Sequence, residues 1–206
     1  GLIVLEGSGA SVPPVRWHAG VLVAPWEAPR GVLRGSIGGA FRLLLSDLLV
    51  LTMGSGPQTG PPDPSDLASH VRSLSPGARI VVIDLVPVPL NDVEGKEVYF
   101  TTTAPQAAVP RLARALERHG CTVVGSSGRL ADRAGLAEDL DRAPAFDALC
   151  TEVKAAAIDV AAVRARDRGA EVVFVDNRAR TLVGDGDLPE LLEEVTALAV
   201  SRAGER

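Results

Sequence analysis

Four apolar runs in the second half of the chain end at a nearly constant interval, and that interval narrows the fold more than composition does. The runs are 97–100, 121–124, 146–150 and 171–175. Each gives way to small or polar residues and then to a helix-like pattern. The residues at the switch are Thr101, Ser126, Glu152 and Asp176, spaced 25, 26 and 24 residues apart. That is close to the ~30-residue period of a βαβ unit. The loops differ in sequence, so the period reflects fold geometry and not a solenoid. Right-handed crossovers place all four strand ends on one edge of a parallel sheet. Ligands of such sheets bind beyond the carboxyl ends of the strands, so the switch residues are where chemistry is expected.

The first half opens on Gly1-Leu2-Ile3-Val4-Leu5-Glu6-Gly7-Ser8-Gly9, which reads as a buried strand over 2–5, a carboxylate and a glycine turn. In phosphate-handling α/β proteins, this order sets an acid beside a magnesium–nucleotide site. The loop that holds the phosphates there is G-x-x-x-x-G-K-[ST], and it does not occur in this chain. Gly95-Lys96, followed by Glu97, is the one Gly-Lys pair. The expectation is the carboxyl-terminal part of a larger ATP-using protein, with the phosphate loop upstream of residue 1.

Further strands are expected at 21–24, 48–52 and 80–85, and helices over 39–45 and from Asp63 or Ser65 to about 74. The unbroken apolar character of 80–85 suits a parallel sheet. Pro87, Pro89, Asn91-Asp92 and Gly95 then make a hinge-like connection. The fold class is therefore α/β, with parallel sheets flanked by helices. The remainder of a P-loop-like domain is expected over 1–91, and a Rossmann-like domain over 92–206.

Composition excludes some partners. A net charge of −5 argues against nonspecific nucleic-acid binding. No apolar run reaches the ~18 residues of a membrane span, and no signal peptide is visible, so the cytoplasm is the expected compartment. Cys121 and Cys150 sit in apolar runs and read as core thiols.

Several residues can carry chemistry, and each has a plainer reading. Glu6 can hold a magnesium-bound water, or accept hydrogen bonds from the Gly7–Gly9 turn. Thr101-Thr102-Thr103 precede Pro105, which suits the first turn of a helix running to about His119. Hydroxyls at a helix start make an anion seat, or simply cap it. Ser126-Ser127-Gly128-Arg129 has the same placement, and Arg129 or Arg133 can fork onto a phosphate or stay solvated; Asp132 reads as a local cap. Lys154 opens the helix 155–168, where a cation opposes the macrodipole by about 0.3–1 kcal/mol. A bound polyanion would reverse that balance, which favours a functional role. Asp176-Asn177-Arg178 can meet a cation, a ribose or an anion, or form an Asx turn at a strand end. Arg30, Arg34 and Arg42 flank a glycine-bearing stretch and read as a solvated surface. His18, His70 and His119 lack metal-ligand spacing.

Six segments together resemble the cyclic 2,3-diphosphoglycerate synthetase family. They are Leu2–Ala10, Arg42–Leu48, Val123–Ser126, Leu130–Arg133, Thr151–Ala156 and Val172–Arg178. The likeness runs from residue 2 to about residue 180, and its first and last two segments are the most specific. The resemblance implies an ATP-dependent ligase that closes 2,3-bisphosphoglycerate into a ring through an intramolecular phosphoanhydride, releasing ADP and phosphate. It implies ATP and Mg2+ as cofactors, Glu6 as the metal-organising carboxylate, and Glu6, Lys154 and Arg178 as catalytic residues. Arg42, Thr102, Ser126, Arg133, Asp176 and Asn177 follow as substrate-binding residues. The family carries its phosphate loop at its longer amino end, so the 206-residue segment is expected to be inactive alone. A homo-oligomer is left open. Two other readings stand beside this one: a 2-phosphoglycerate kinase, which transfers the phosphoryl group without ring closure, and a binding module for an anionic metabolite.

Overall fold

In a computed structural model, the structure describes residues 1–7, 14–26, 37–53, 63–153 and 155–205. The chain divides into two compact units. The first comprises Gly1–Gly54, Thr59–Asp84 and Arg180–Arg206; the second comprises Ser55–Gln58 and Leu85–Ala179.

The first unit is built on the parallel strands β1 (Val21–Pro25), β2 (Leu48–Thr52) and β3 (Arg79–Pro89), of which β3 continues into the second unit. β2 reads as a continuous apolar run because both of its faces are covered, as in parallel sheets generally. On one face Leu49, Leu51, Ile80 and Val82 pack with Leu43 of α1 (Ile37–Leu44) and with Leu67 and Val71 of α2 (Ser65–Leu74). On the other, Leu48, Val50, Val81 and Ile83 close on Leu191 of α6 (Leu188–Gly204). α6 therefore belongs with the first unit, where the sequence reading had placed it in a second domain over 92–206. Its anchor is this second apolar face of β2 and β3, which no other described helix covers. The boundary itself falls between Asp84 and Leu85, within β3, not at residue 91.

Leu2–Leu5 is not a strand. Ile3 and Val4 are each 83% exposed. Apolar character alone does not make a strand; backbone groups need a ladder, and none of the described strands pairs with this segment.

The second unit orders its strands β7-β6-β4-β5, where β4 is Glu97–Thr101, β5 Thr122–Ser127, β6 Ala148–Glu152 and β7 Glu171–Gly184. Its pairings β4–β5, β4–β6 and β6–β7 are parallel. Val98, Phe100, Ala148, Cys150 and Val173 pack on Leu112 and Leu116 of α3 (Val109–Glu117). Tyr99 and Leu149 pack on Leu136 and Leu140 of α4 (Arg133–Asp141) and on Ala161 and Ala165 of α5 (Ile158–Asp167). Alanines on α5 let that helix lie close to the strands. Past α3 the chain turns at Gly120, with φ +84°, a left-handed conformation that glycine adopts without strain. Both cysteines are buried and free, and burial pushes the Cys150 thiol up to about 12. No described helix is long and apolar enough to cross a membrane.

Candidate functional site

The register of the second unit aligns strand ends. Thr101 of β4 lies opposite Ser127 of β5 and Thr151 of β6, and Glu152 follows one residue on. The carboxyl edge thus gathers two threonines, a serine and a carboxylate, as the spacing of the apolar runs required.

Glu152 is the centre of this edge. It is 7% exposed, and its carboxylate accepts four hydrogen bonds. Oε1 takes the Thr102 hydroxyl at 2.6 Å and Asn177 Nδ2 at 3.0 Å. Oε2 takes the Thr103 amide at 2.9 Å and the Thr103 hydroxyl at 2.7 Å. Burial works against the charge, yet the hydroxyls, the amide and Asn177 outweigh it and hold the carboxyl below its ordinary 4.5. A buried carboxylate is tolerated when its lone pairs are filled in this way. Sequence reasoning had marked Glu152 only as a switch residue. Its signal was an acid ending a buried strand, one register step from a run of three threonines.

Thr102 is fully buried, and its hydroxyl is spent: it donates to Glu152 and accepts from the Ala104 amide at 3.0 Å. Thr102 therefore positions the edge, its hydroxyl turned to Glu152 and the Ala104 amide. Asn177 is tied to Glu152 in the same way. Thr103 is exposed and stands at the rim. Pro105 does not start the following helix, because α3 begins at Val109 after a turn over 106–108. An anion seat directly behind Thr103 at a helix start is thus absent among the described residues.

Asp176, Asn177 and Arg178 lie inside the long strand β7, not in a turn after it. Two residues apart on a strand share a face, and Arg178 Nε meets Asp176 Oδ2 at 3.4 Å with both side chains more than half exposed. Arg133 is taken up elsewhere. It forks onto Asp159 at 2.7 and 2.6 Å and donates to the Ala156 carbonyl at 2.8 Å. That clamp joins α4 to α5 and occupies the guanidinium in this structure. Asp132 is the N-cap of α4, accepting from the Gly135 amide at 3.1 Å.

Ser126 lines an open cleft of about 540 Å³ together with Tyr99, Gln106, Gly128, Arg129, Asp139 and Arg142. Arg42 belongs to α1 in the first unit, where its carbonyl accepts from the Ser46 hydroxyl. Glu6 is also in the first unit, exposed and without a partner among the described residues. Lys154 lies outside the described residues. Among the described residues no three His, Cys, Asp or Glu side chains converge as a metal cage. A single free carboxylate such as Glu6 fits magnesium, which keeps waters and phosphate oxygens as its other ligands.

Two family models match successive stretches of the chain. Residues 1–83 match the P-loop domain of cyclic 2,3-diphosphoglycerate synthetase, and residues 89–178 match the C-terminal domain of the same protein. The chain belongs to the cyclic 2,3-diphosphoglycerate synthetase family. The two matches meet close to the boundary between the compact units. The cyclic 2,3-diphosphoglycerate synthetase of Rubrobacter xylanophilus is 41% identical over 100% of this chain and 46% of its own length. Those of Methanothermobacter thermautotrophicus and Thermococcus kodakarensis are each 35% identical, over 98% and 93% of this chain. The chain spans less than half the length of these relatives, at 43–46%. Among solved structures, arylmalonate decarboxylase matches at 18% identity and a TM-score of 0.32 over 84% of this chain and 78% of that one, a likeness too low to carry any argument.

Proposed function

We propose that the intact protein is an ATP-dependent ligase that closes 2,3-bisphosphoglycerate into cyclic 2,3-diphosphoglycerate. The observation that supports this most is the match of both units to the two domain models of one synthetase. The γ-phosphoryl group of ATP passes to one phosphate of the substrate, giving ADP and a diphosphate ester. An oxygen of the other substrate phosphate attacks the inner phosphorus and expels inorganic phosphate, which leaves a P–O–P bridge within the ring.

The physical obstacle is the approach of two anions, and fixed cations and donors lower it. Magnesium supplies charge neutralisation at the transferred group, and Glu6 is the residue that would hold it. Lys154 and Arg178 would bind phosphate oxygens. Thr103 would present its rim to the substrate, and Glu152 would fix that rim. The charge of Glu152 is already met by four donors, so it repels an incoming phosphate far less than a free carboxylate would.

The test is release of ADP by the intact protein on addition of 2,3-bisphosphoglycerate, repeated with Glu6→Ala and Lys154→Ala. The account expects kcat to fall in both variants. Full kcat with only a raised KM would overturn their catalytic assignment, and no substrate-dependent ADP would overturn the ligase.

A further inference from the structure

We propose that the cleft at the carboxyl end of β5, between Arg129 and Arg142, is a phosphomonoester subsite. Naming its ligand as a phosphate of the bisphosphoglycerate rests on the ligase reading; the anion site itself does not.

Four observations converge on it. First, Arg142 has no side-chain partner among the described residues, whereas Arg133, Arg164 and Arg168, from the same pair of helices and the turn after them, are all engaged with carboxylates or carbonyls. Its position at the end of α4 suits a cation by itself, so Arg142 alone would mean little. Second, Arg129 lines the same cleft and is only loosely held: it donates one long hydrogen bond, 3.5 Å to the Gly135 carbonyl, and its nearest carboxylate oxygens, on Asp139 and Glu138, are 3.7 and 3.8 Å away. Third, the acid within the cleft is already committed. Asp139 accepts the Ser127 hydroxyl at 2.6 Å, so part of its charge is met before any ligand arrives. Fourth, the remaining lining supplies neutral donors, the Ser126 hydroxyl and the Gln106 amide. Gly128 lets the loop press onto the segment that carries Gln106, since a Cβ there would stand 3.0 Å from both the Ala104 carbonyl and Gln106 Oε1.

Two guanidinium forks with flanking donors match a tetrahedral dianion. The cleft belongs wholly to the second unit. The P-loop model covers residues 1–83 instead, which assigns the cleft to the phosphoglycerate and not to the nucleotide.

The experiment is calorimetric titration of this 206-residue chain with inorganic phosphate, and steady-state kinetics of the intact protein, in wild type, Arg142→Ala, Arg142→Lys and Arg129→Ala. Arg164→Gln serves as the arginine control, and thermal unfolding verifies that each variant is folded. Losing one charged fork weakens phosphate binding by roughly tenfold to a hundredfold. Arg142→Lys, which keeps the charge without the fork, falls between. In the kinetics the KM for bisphosphoglycerate rises in parallel and the KM for ATP stays put. Unchanged phosphate affinity in folded Arg142→Ala overturns the subsite. A rise in the KM for ATP alone overturns the assignment to the phosphoglycerate. If the intact protein closes no ring, the ligase reading fails while the titration still decides the cleft.

Discussion

Replacing Glu152 by glutamine is the sharpest perturbation of the strand edge. It keeps size and shape and changes two things: the charge, and one acceptor oxygen into a donor. In the native chain both oxygens are doubly occupied, by Thr102 and Asn177 on one side and by the Thr103 amide and hydroxyl on the other. A glutamine can serve only one of these pairs. Turned either way, its NH2 faces two donors. A hydrogen bond to a charged group contributes about 1.5–3 kcal/mol, so two lost bonds amount to about 3–6 kcal/mol. The exposed Thr103 hydroxyl is free to rotate and accept from the amide, which recovers part of that. A net loss of about 2–4 kcal/mol is therefore expected in Glu152→Gln.

Urea unfolding at pH 7 measures the loss, and ADP release by the intact protein on addition of 2,3-bisphosphoglycerate is the second readout. The pH dependence fixes the cause. The Glu152 carboxyl is held below 4.5 in the folded chain, so its contribution is fully present above 4.5 and disappears as pH falls through the depressed value. The gap between wild type and Glu152→Gln should accordingly close on acidification below 4.5. A gap under about 0.5 kcal/mol at pH 7, the ordinary scatter of surface substitutions, or one that persists in acid, would refute the reasoning.

Three further outcomes follow from packing. Gly125→Ala would place a Cβ at 2.7 and 2.8 Å from the Tyr99 ring; a loss of about 1–3 kcal/mol and an altered near-ultraviolet dichroism are expected, and an unaltered tyrosine signal would contradict the contact. Leu191→Ala removes a side chain that is 1% exposed and should lower unfolding stability by about 2–5 kcal/mol, whereas a surface-like change would detach α6 from the first unit. With its thiol raised to about 12, Cys150 carries roughly one part in ten thousand of thiolate at pH 8. Native chains should resist alkylation there, react in urea, and so reveal a core thiol; rapid native labelling would contradict its burial.

Much of the architecture was legible in the sequence. β2 and β6 announce themselves as short unbroken apolar runs, because parallel strands covered on both faces need no polar alternation. The even spacing of Thr101 and Glu152 translated directly into a shared edge. Four things were not legible. Leu2–Leu5 has the composition of a strand, but composition does not disclose a pairing partner. Asp176-Asn177-Arg178 looks like a turn, yet β7 carries these residues on to Gly184, since a strand tolerates exposed polar residues wherever no helix covers it. The role of Arg133 depended on Asp159, 26 residues away on another helix, and only folding brings that pair together. Glu152 was hidden for the same reason: its four donors come from two other segments of the chain.

The measurement that bears most directly on the central claim is the phosphorus NMR spectrum of the product formed by the intact protein from 2,3-bisphosphoglycerate and ATP. Ring closure predicts two mutually coupled phosphorus doublets in the anhydride region, with ADP and inorganic phosphate beside them. A spectrum in which the glycerate carries only monoester resonances would contradict it.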